Sequence, residues 1–133
     1  MKILFIYRNP SMGPSIRRVF QPIEEVLGKE DEVDSLSLPC GDYAPVSLWR
    51  NIKEARRAAK GKAYDIIHIT GQEHYLIPFL DSRKVVVTVH DLGSILKTER
   101  GLAGRLKHHL FVGSLMRASR VTRISEATRL EVL

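Results

Sequence analysis

The stretch Tyr64–Asp91 reads Y-D-I-I-H-I-T-G-Q-E-H-Y-L-I-P-F-L-D-S-R-K-V-V-V-T-V-H-D, and it decides the fold class. Tyr64–Thr70 is an apolar run without alternation, as expected of a strand covered on both faces. Gly71 then turns into a short helix predicted through Leu80. Lys84–Val89 is almost wholly β-branched and is the clearest strand in the chain. Strand, helix and strand in so short a space imply a crossover between parallel neighbours.

The same alternation continues in both directions. Lys2–Arg8 is another buried strand, followed by the turn formers N-P-S-M-G-P at 9–14. Ser15 is the candidate N-cap of a helix through Leu27, with Ile16, Val19, Phe20, Ile23 and Leu27 on one face. Pro22 should kink or restart that helix, and Gly28 should stop it. Glu32–Leu38 is a weaker, alternating strand closed by Pro39. Ser47 is the expected cap of a helix to about Lys60, where Leu48, Ile52, Ala55 and Ala59 recur at helical spacing and Gly61 follows. Beyond Val89 the reading is a loop over His90–Lys97 and a helix over Gly101–Arg117 with Leu102, Leu106, Leu110 and Leu115 inward. A short strand, Arg120–Ile124, and a helix capped by Ser125 complete it. The expectation is one α/β domain over 1–133, a Rossmann-like three-layer sandwich with helices on both faces. The first, third and fourth strands are the most apolar, which puts them at the centre of a parallel sheet ordered 2-1-3-4-5.

Composition excludes several classes. Of 133 residues, 44% are hydrophobic and 27% charged, an ordinary globular balance. The longest apolar runs, Ile3–Tyr7 and Val85–Val89, are too short to cross a bilayer. Arg8 and Asn9 cut the first too short for a signal peptide, so Met1 is read as a native start and the protein as cytoplasmic. Cys40 is the only cysteine, which rules out an internal disulfide and a cysteine-based metal site. The formal charge of +6 favours an anionic partner. Arg50, Lys53, Arg56, Arg57, Lys60 and Lys62 face one acid, Glu54. Lys97, Arg100, Arg105 and Lys107 form a second basic group. Each is also what a solvated helix face looks like.

In a doubly wound sheet, ligands collect beyond the carboxyl ends of the strands. A dinucleotide fingerprint needs G-x-G-x-x-G there, but the first loop holds a lone Gly13 and the second strand ends in Leu38-Pro39. No P-loop and no G-x-S-x-G occurs, and Arg8 and Asn9 stand where a phosphoacceptor receiver needs acids. The remaining rim is rich in donors: T-G-Q-E-H at 70–74, V-H-D-L-G at 89–93 and I-S-E-A-T at 124–128. Such groups suit sugar hydroxyls, and free backbone N–H groups suit phosphate. His68, between Ile67 and Ile69, reads as a satisfied core histidine. His108 and His109 are adjacent on a helix, point apart and cannot chelate. No metal site and no cofactor are expected.

Five segments together carry a resemblance: D-I-I-H-I-T-G at 65–71, T-V-H-D at 88–91, R-I-S-E-A-T at 123–128, K-I-L-F-I-Y-R-N at 2–9 and S-I-R-R-V-F-Q-P-I at 15–23. In that order, each at a strand end or beside one, they resemble the N-terminal Rossmann-like domain of bacterial family-4 retaining glycosyltransferases of the GT-B fold. The resemblance implies the acceptor-side half of a two-domain enzyme whose other half binds a nucleotide-sugar through paired glutamates. The present chain is read as stopping before that half and as inactive by itself. The implied roles are sugar contact at the reaction centre for His90, donor phosphate for Gly13 and Ser15, and acceptor contact for Gly71, His74, Asp91 and Glu126. Each has a plainer reading: Gly13 as a turn, His90 as a loop histidine, Ser125-Glu126 as a helix start, His74 and Asp91 as surface polarity. The implied partners are a nucleotide-sugar donor, a lipid-linked or polysaccharide acceptor and an anionic membrane surface reached by the basic clusters. Self-association through the 120–124 strand or the last helix is also expected. The rival reading is a stand-alone basic module that docks nucleic acid or an acidic partner. The small aromatic content, 7%, with only Trp49 at the edge of the basic 50–62 stretch, disfavours a stacking platform.

Overall fold

A computed structural model of the chain describes residues 1–89 and 113–123. Five strands, β1 (Lys2–Tyr7), β2 (Glu32–Ser37), β3 (Ile66–Ile69), β4 (Val85–Val89) and β5 (Arg120–Arg123), form one sheet in the order β2-β1-β3-β4-β5. Every pairing is parallel. The expected order therefore holds, with the half-exposed β2 and β5 at the edges. The register of β1 against β3 runs from Ile3↔Ile66 to Ile6↔Ile69.

Alternate residues of β1 serve opposite faces, as a pleated strand requires. Ile3, Phe5 and Tyr7 pack with Ile16 and Phe20 of α1 (Ser15–Leu27). Leu4 and Ile6 join Ile67, Ile69, Val85, Val87 and Val89 on the other face. That face is covered by Ile52 and Ala55 of α2 (Pro45–Gly61) and by Tyr75, Leu76 and Ile77. Helices thus lie on both faces, and each strand run without alternation is explained by its two coverings.

Local details depart from expectation. Ser15 does not cap α1: it is the first helical residue, Pro14 occupies the cap position, and no side chain caps the helix. The Ser15 hydroxyl is taken by Arg8 instead, whose Nη2 donates to Oγ at 3.1 Å. Ser47 is likewise inside α2, which starts earlier at Pro45, because proline is preorganised for a first helical position. α1 runs through Pro22 without restarting. Pro22 is exposed, so the carbonyl left without a partner one turn back can turn to water. The element after Gly71 is a 3-10 helix, His74–Phe79, and Gly113–Arg117 is a second one, where α-helix was expected. Pro78 breaks the first of these patterns. The rest of the expected 101–117 helix, the loop after β4 and the helix after β5 lie outside the described residues.

His68 behaves as the core histidine expected. Its ring stacks on Phe5 at 5.2 Å and meets Phe20 edge-on at 5.1 Å. Nε2 shares a hydrogen bond with Thr88 Oγ1 at 2.8 Å, and Thr88 continues to Thr122 Oγ1 at 2.7 Å.

Candidate functional site

The strand order reverses between β1 and β3: the chain leaves β1 toward β2 on one side and returns to β3 on the other. Folds of this kind place ligands in the crevice beyond that point. Three loops meet there, following β1, β2 and β3.

The loop after β1 is rigid by construction. Asn9 Oδ1 accepts from Ser11 N at 2.9 Å, and Asn9 Nδ2 donates to Leu38 O at 2.9 Å and Pro39 O at 3.0 Å. One side chain therefore shapes its own turn and fastens it to the loop after β2. Gly41 packs so closely on this turn that a Cβ would meet Ser11 Oγ at 2.6 Å. A 3-10 turn, Pro10–Met12, leads to Gly13 at φ 104°, ψ 160°, a conformation open in practice to glycine alone. Arg8 lies across the loop, with Nη2 donating to Ser15 Oγ and, at 3.4 Å, to Gly13 O. Tyr7, Arg8, Pro10, Gly13, Pro14, Ile16 and Arg17 line a cleft of about 110 Å3. Arg17 stacks on the Tyr7 ring, 4.5 Å from its centre.

The loop after β2 is held from below by α2. Asn51, buried on the core side of that helix, accepts from Cys40 N and donates to Cys40 O, both at 3.0 Å. The same amide donates to Tyr75 OH at 3.0 Å, so the loops after β2 and β3 are tied through Asn51, and Asn9 joins the loop after β1 to them. Burial raises the Tyr75 hydroxyl well above the usual phenol range, against the Asn51 bond, which lowers it.

The loop after β3 begins with Thr70, whose backbone N and Oγ1 both donate to Ile6 O, at 3.1 and 2.9 Å. Gly71 follows, and a Cβ there would meet Glu73 Oε2 at 2.8 Å and Ile16 Cδ1 at 3.2 Å. Glycine is thus required because a carboxylate folds back onto the backbone. Glu73 is only 3% exposed, and Oε2 has no hydrogen-bond partner. Burial pushes its carboxyl up to about 7, although its own backbone N–H and the Arg8 guanidinium pull the other way. Tyr43, across the gap, is pushed up to about 12 by burial and by the Glu73 charge, with Arg8 opposing. Arg8 carries a matching irregularity, a buried Nε without a partner. No ion pair joins the two among the described residues, so the Glu73 carboxyl feels the guanidinium's charge without closing on it.

The residues foreseen from sequence are distributed unevenly over this arrangement. Gly13, Ser15 and Gly71 all lie at the rim, joined by Arg8 and by the Ile16–Gly71 contact. His74 is fully buried, which removes surface polarity as its explanation. His90, Asp91 and Glu126 lie outside the described residues. Glu73, Arg8 and Asn51 were not singled out. Asn51 had a signal: it interrupts the apolar stripe of α2, three residues after Leu48 and four before Ala55. Glu73 had a fainter one, an acid running directly into H-Y-L-I.

The sequence matches no family model and no curated protein. What the chain does is therefore argued from the rim itself. Among the described residues no cluster of histidine, cysteine or carboxylate could hold a metal ion, and no helix is long and apolar enough to cross a membrane.

Proposed function

We propose that this domain is the acceptor-side half of a retaining glycosyltransferase, receiving a lipid-linked or polysaccharide acceptor at the β1–β3 crossover. The observation that carries the proposal is the rim cluster of Arg8, Gly13, Ser15, Gly71 and Glu73. It offers both donors and acceptors in a crevice where folds of this topology bind ligands. The lone glycine and the proline after β2 argue against a dinucleotide, and the resemblance of the five segments points to sugar transfer. In that reading a second, nucleotide-sugar-binding half closes over the rim, and catalysis rests on positioning and charge stabilisation. His90 is assigned to the transferred sugar; Asp91 and Glu126 are assigned to the acceptor.

The exposed face of α2 supplies a second element. Trp49, Lys53, Arg56, Arg57 and Lys60 line a shallow surface depression, with Trp49 53% and Val46 65% exposed. Cations beside an exposed tryptophan suit the anionic headgroup layer of a membrane, where a lipid-linked acceptor resides.

Nuclear magnetic resonance shift mapping of the labelled chain tests the reading. Methyl glycosides are expected to shift the amides of 8–15 and 70–75 saturably; no response to any glycoside tried contradicts it. In the two-domain enzyme that this reading requires, transfer of label from a nucleotide-sugar should be lost on His90→Ala.

A further inference from the structure

We propose that Glu73 and Arg8 together form a site for two neighbouring hydroxyls of a saccharide, the carboxylate accepting from one and the guanidinium Nε donating to the other. This rests on reading the rim as a saccharide site, and it names the groups that read the sugar.

The argument begins with what the two side chains lack. Arg8 spends Nη2 on Gly13 O and Ser15 Oγ, and its buried Nε is left over. Glu73 is buried, and its Oε2 is left over. Buried polar atoms are nearly always partnered, so two orphans of opposite kind at one crossover, on either side of Ile16, point to a ligand that supplies what is missing. The required ligand group presents one donor and one acceptor. An anion would suit Arg8 but meet the Glu73 charge; a cation would suit Glu73 but meet the guanidinium. Neutral hydroxyls satisfy both, since each donates and accepts.

The backbone is shaped to keep the pair apart and available. Gly71 lets the carboxylate lie against the chain, where any side chain would displace it. Gly13 lets the loop turn under Arg8. Ile16 both lines the cleft and places Cδ1 against Gly71 beside Oε2. In the proposal, a rotamer change of Ile16 joins the cleft to the carboxylate, a motion that costs little and is fast. The charged and titratable groups around Glu73 are Arg8 from the end of β1, Tyr43 from the loop before α2, and Tyr75 on its own segment, with His74 next in the chain.

A hydroxyl bonds a carboxylate better than a carboxylic acid, so affinity should follow ionisation of Glu73. With the carboxyl at about 7, its ionised fraction rises roughly tenfold between pH 6 and pH 8. The experiment is shift mapping of the 133-residue chain with methyl α-glucoside, methyl α-galactoside and methyl α-mannoside at both pH values. Glycine and inorganic phosphate serve as zwitterionic and anionic probes. At least one glycoside should bind at 8–15 and 70–75, up to roughly tenfold tighter at pH 8. Glu73→Gln keeps the shape and should flatten that dependence, with about tenfold weaker binding at pH 8. The dependence surviving in Glu73→Gln would assign it to another group, His74 included. That result overturns this proposal and leaves the saccharide reading standing. Arg8→Lys keeps the charge and loses Nε, and it should also weaken binding about tenfold; unchanged binding in Arg8→Lys overturns the pairing even if Glu73→Gln fails to fold. Binding of glycine or phosphate at the rim in place of every glycoside, or of no probe at all, overturns both this proposal and the reading beneath it.

Discussion

The crossover rim and the outer face of α2 handle charge in opposite ways. On α2, Lys53, Arg56, Arg57 and Lys60 stand in solvent, where water reaches each of them, Arg57 also pairs with Glu54, and salt screens them all. At the rim a single carboxylate and the Nε edge of a half-buried guanidinium are withdrawn from water, each with one atom left unsatisfied. The first region has most of the charge and little of the energetic tension; the second is the reverse. Charge that is counted along a chain and charge that is held at a cost are therefore different signals, and the second is the better guide to a site.

Substitutions in the two regions should differ accordingly. The largest effect is expected at Asn51, the strut beneath the rim. Asn51→Ala removes the bonds to Cys40 N, Cys40 O and Tyr75 OH together, and urea unfolding should report a loss of about 4 kcal/mol. A loss below about 1 kcal/mol would mean the loops after β2 and β3 are held by other contacts.

Glu73 comes next, and here the sign follows from linkage. Its folded carboxyl, at about 7, lies above the value of 4.5 expected in the unfolded chain. The folded state then holds more protons between those values, and stability falls as pH rises across them. The stability is fully present below about 4.5 and lost above about 7, a difference of about 3 kcal/mol. Glu73→Gln removes the titration, so its advantage over the wild-type chain should grow by about that amount from pH 4 to pH 8. A constant difference across that range would place Glu73 in an ordinary, hydrated environment.

Gly13→Ala should cost about 2 kcal/mol through backbone strain alone, since the nearest atom to the new Cβ, Arg8 Nη2, is a comfortable 3.7 Å away. Smallest of all for stability is the α2 face. Replacing Lys53, Arg56 and Arg57 with glutamine should leave the urea midpoint unchanged. The same variant should bind vesicles containing anionic lipid roughly a hundredfold more weakly, with no change on neutral vesicles. Unchanged binding to the anionic vesicles would remove the membrane role from this face.

The contrast also marks how far the residues alone could be read. The sheet was legible because burial on both faces leaves a direct trace, the unbroken runs I-L-F-I-Y, I-I-H-I and V-V-V-T-V. The order of strands followed from which runs were most apolar. Helix starts were less legible. Ser15 and Ser47 have the right chemistry for caps, yet Pro45 fixes one start earlier, and Arg8, distant in kind though only seven residues away, claims the other hydroxyl. The rim was legible as a place and not as a mechanism. T-G-Q-E-H reads as a polar turn, and nothing in five letters says that the glutamate folds inward against Gly71 while glutamine stays half-exposed. That depends on Ile16 and Arg8, brought in from the start of α1 and the end of β1. Asn51 could have been found, because a polar side chain on the buried stripe of a helix has to bond something.

Everything proposed for the rim depends on Glu73 being held away from water at the crossover. Carbon-detected titration of its side-chain carboxyl in the intact chain, assigned by its disappearance in Glu73→Gln, measures that directly. The midpoint expected is about 7. A midpoint near 4.5, the ordinary value for a hydrated glutamate, would contradict the account.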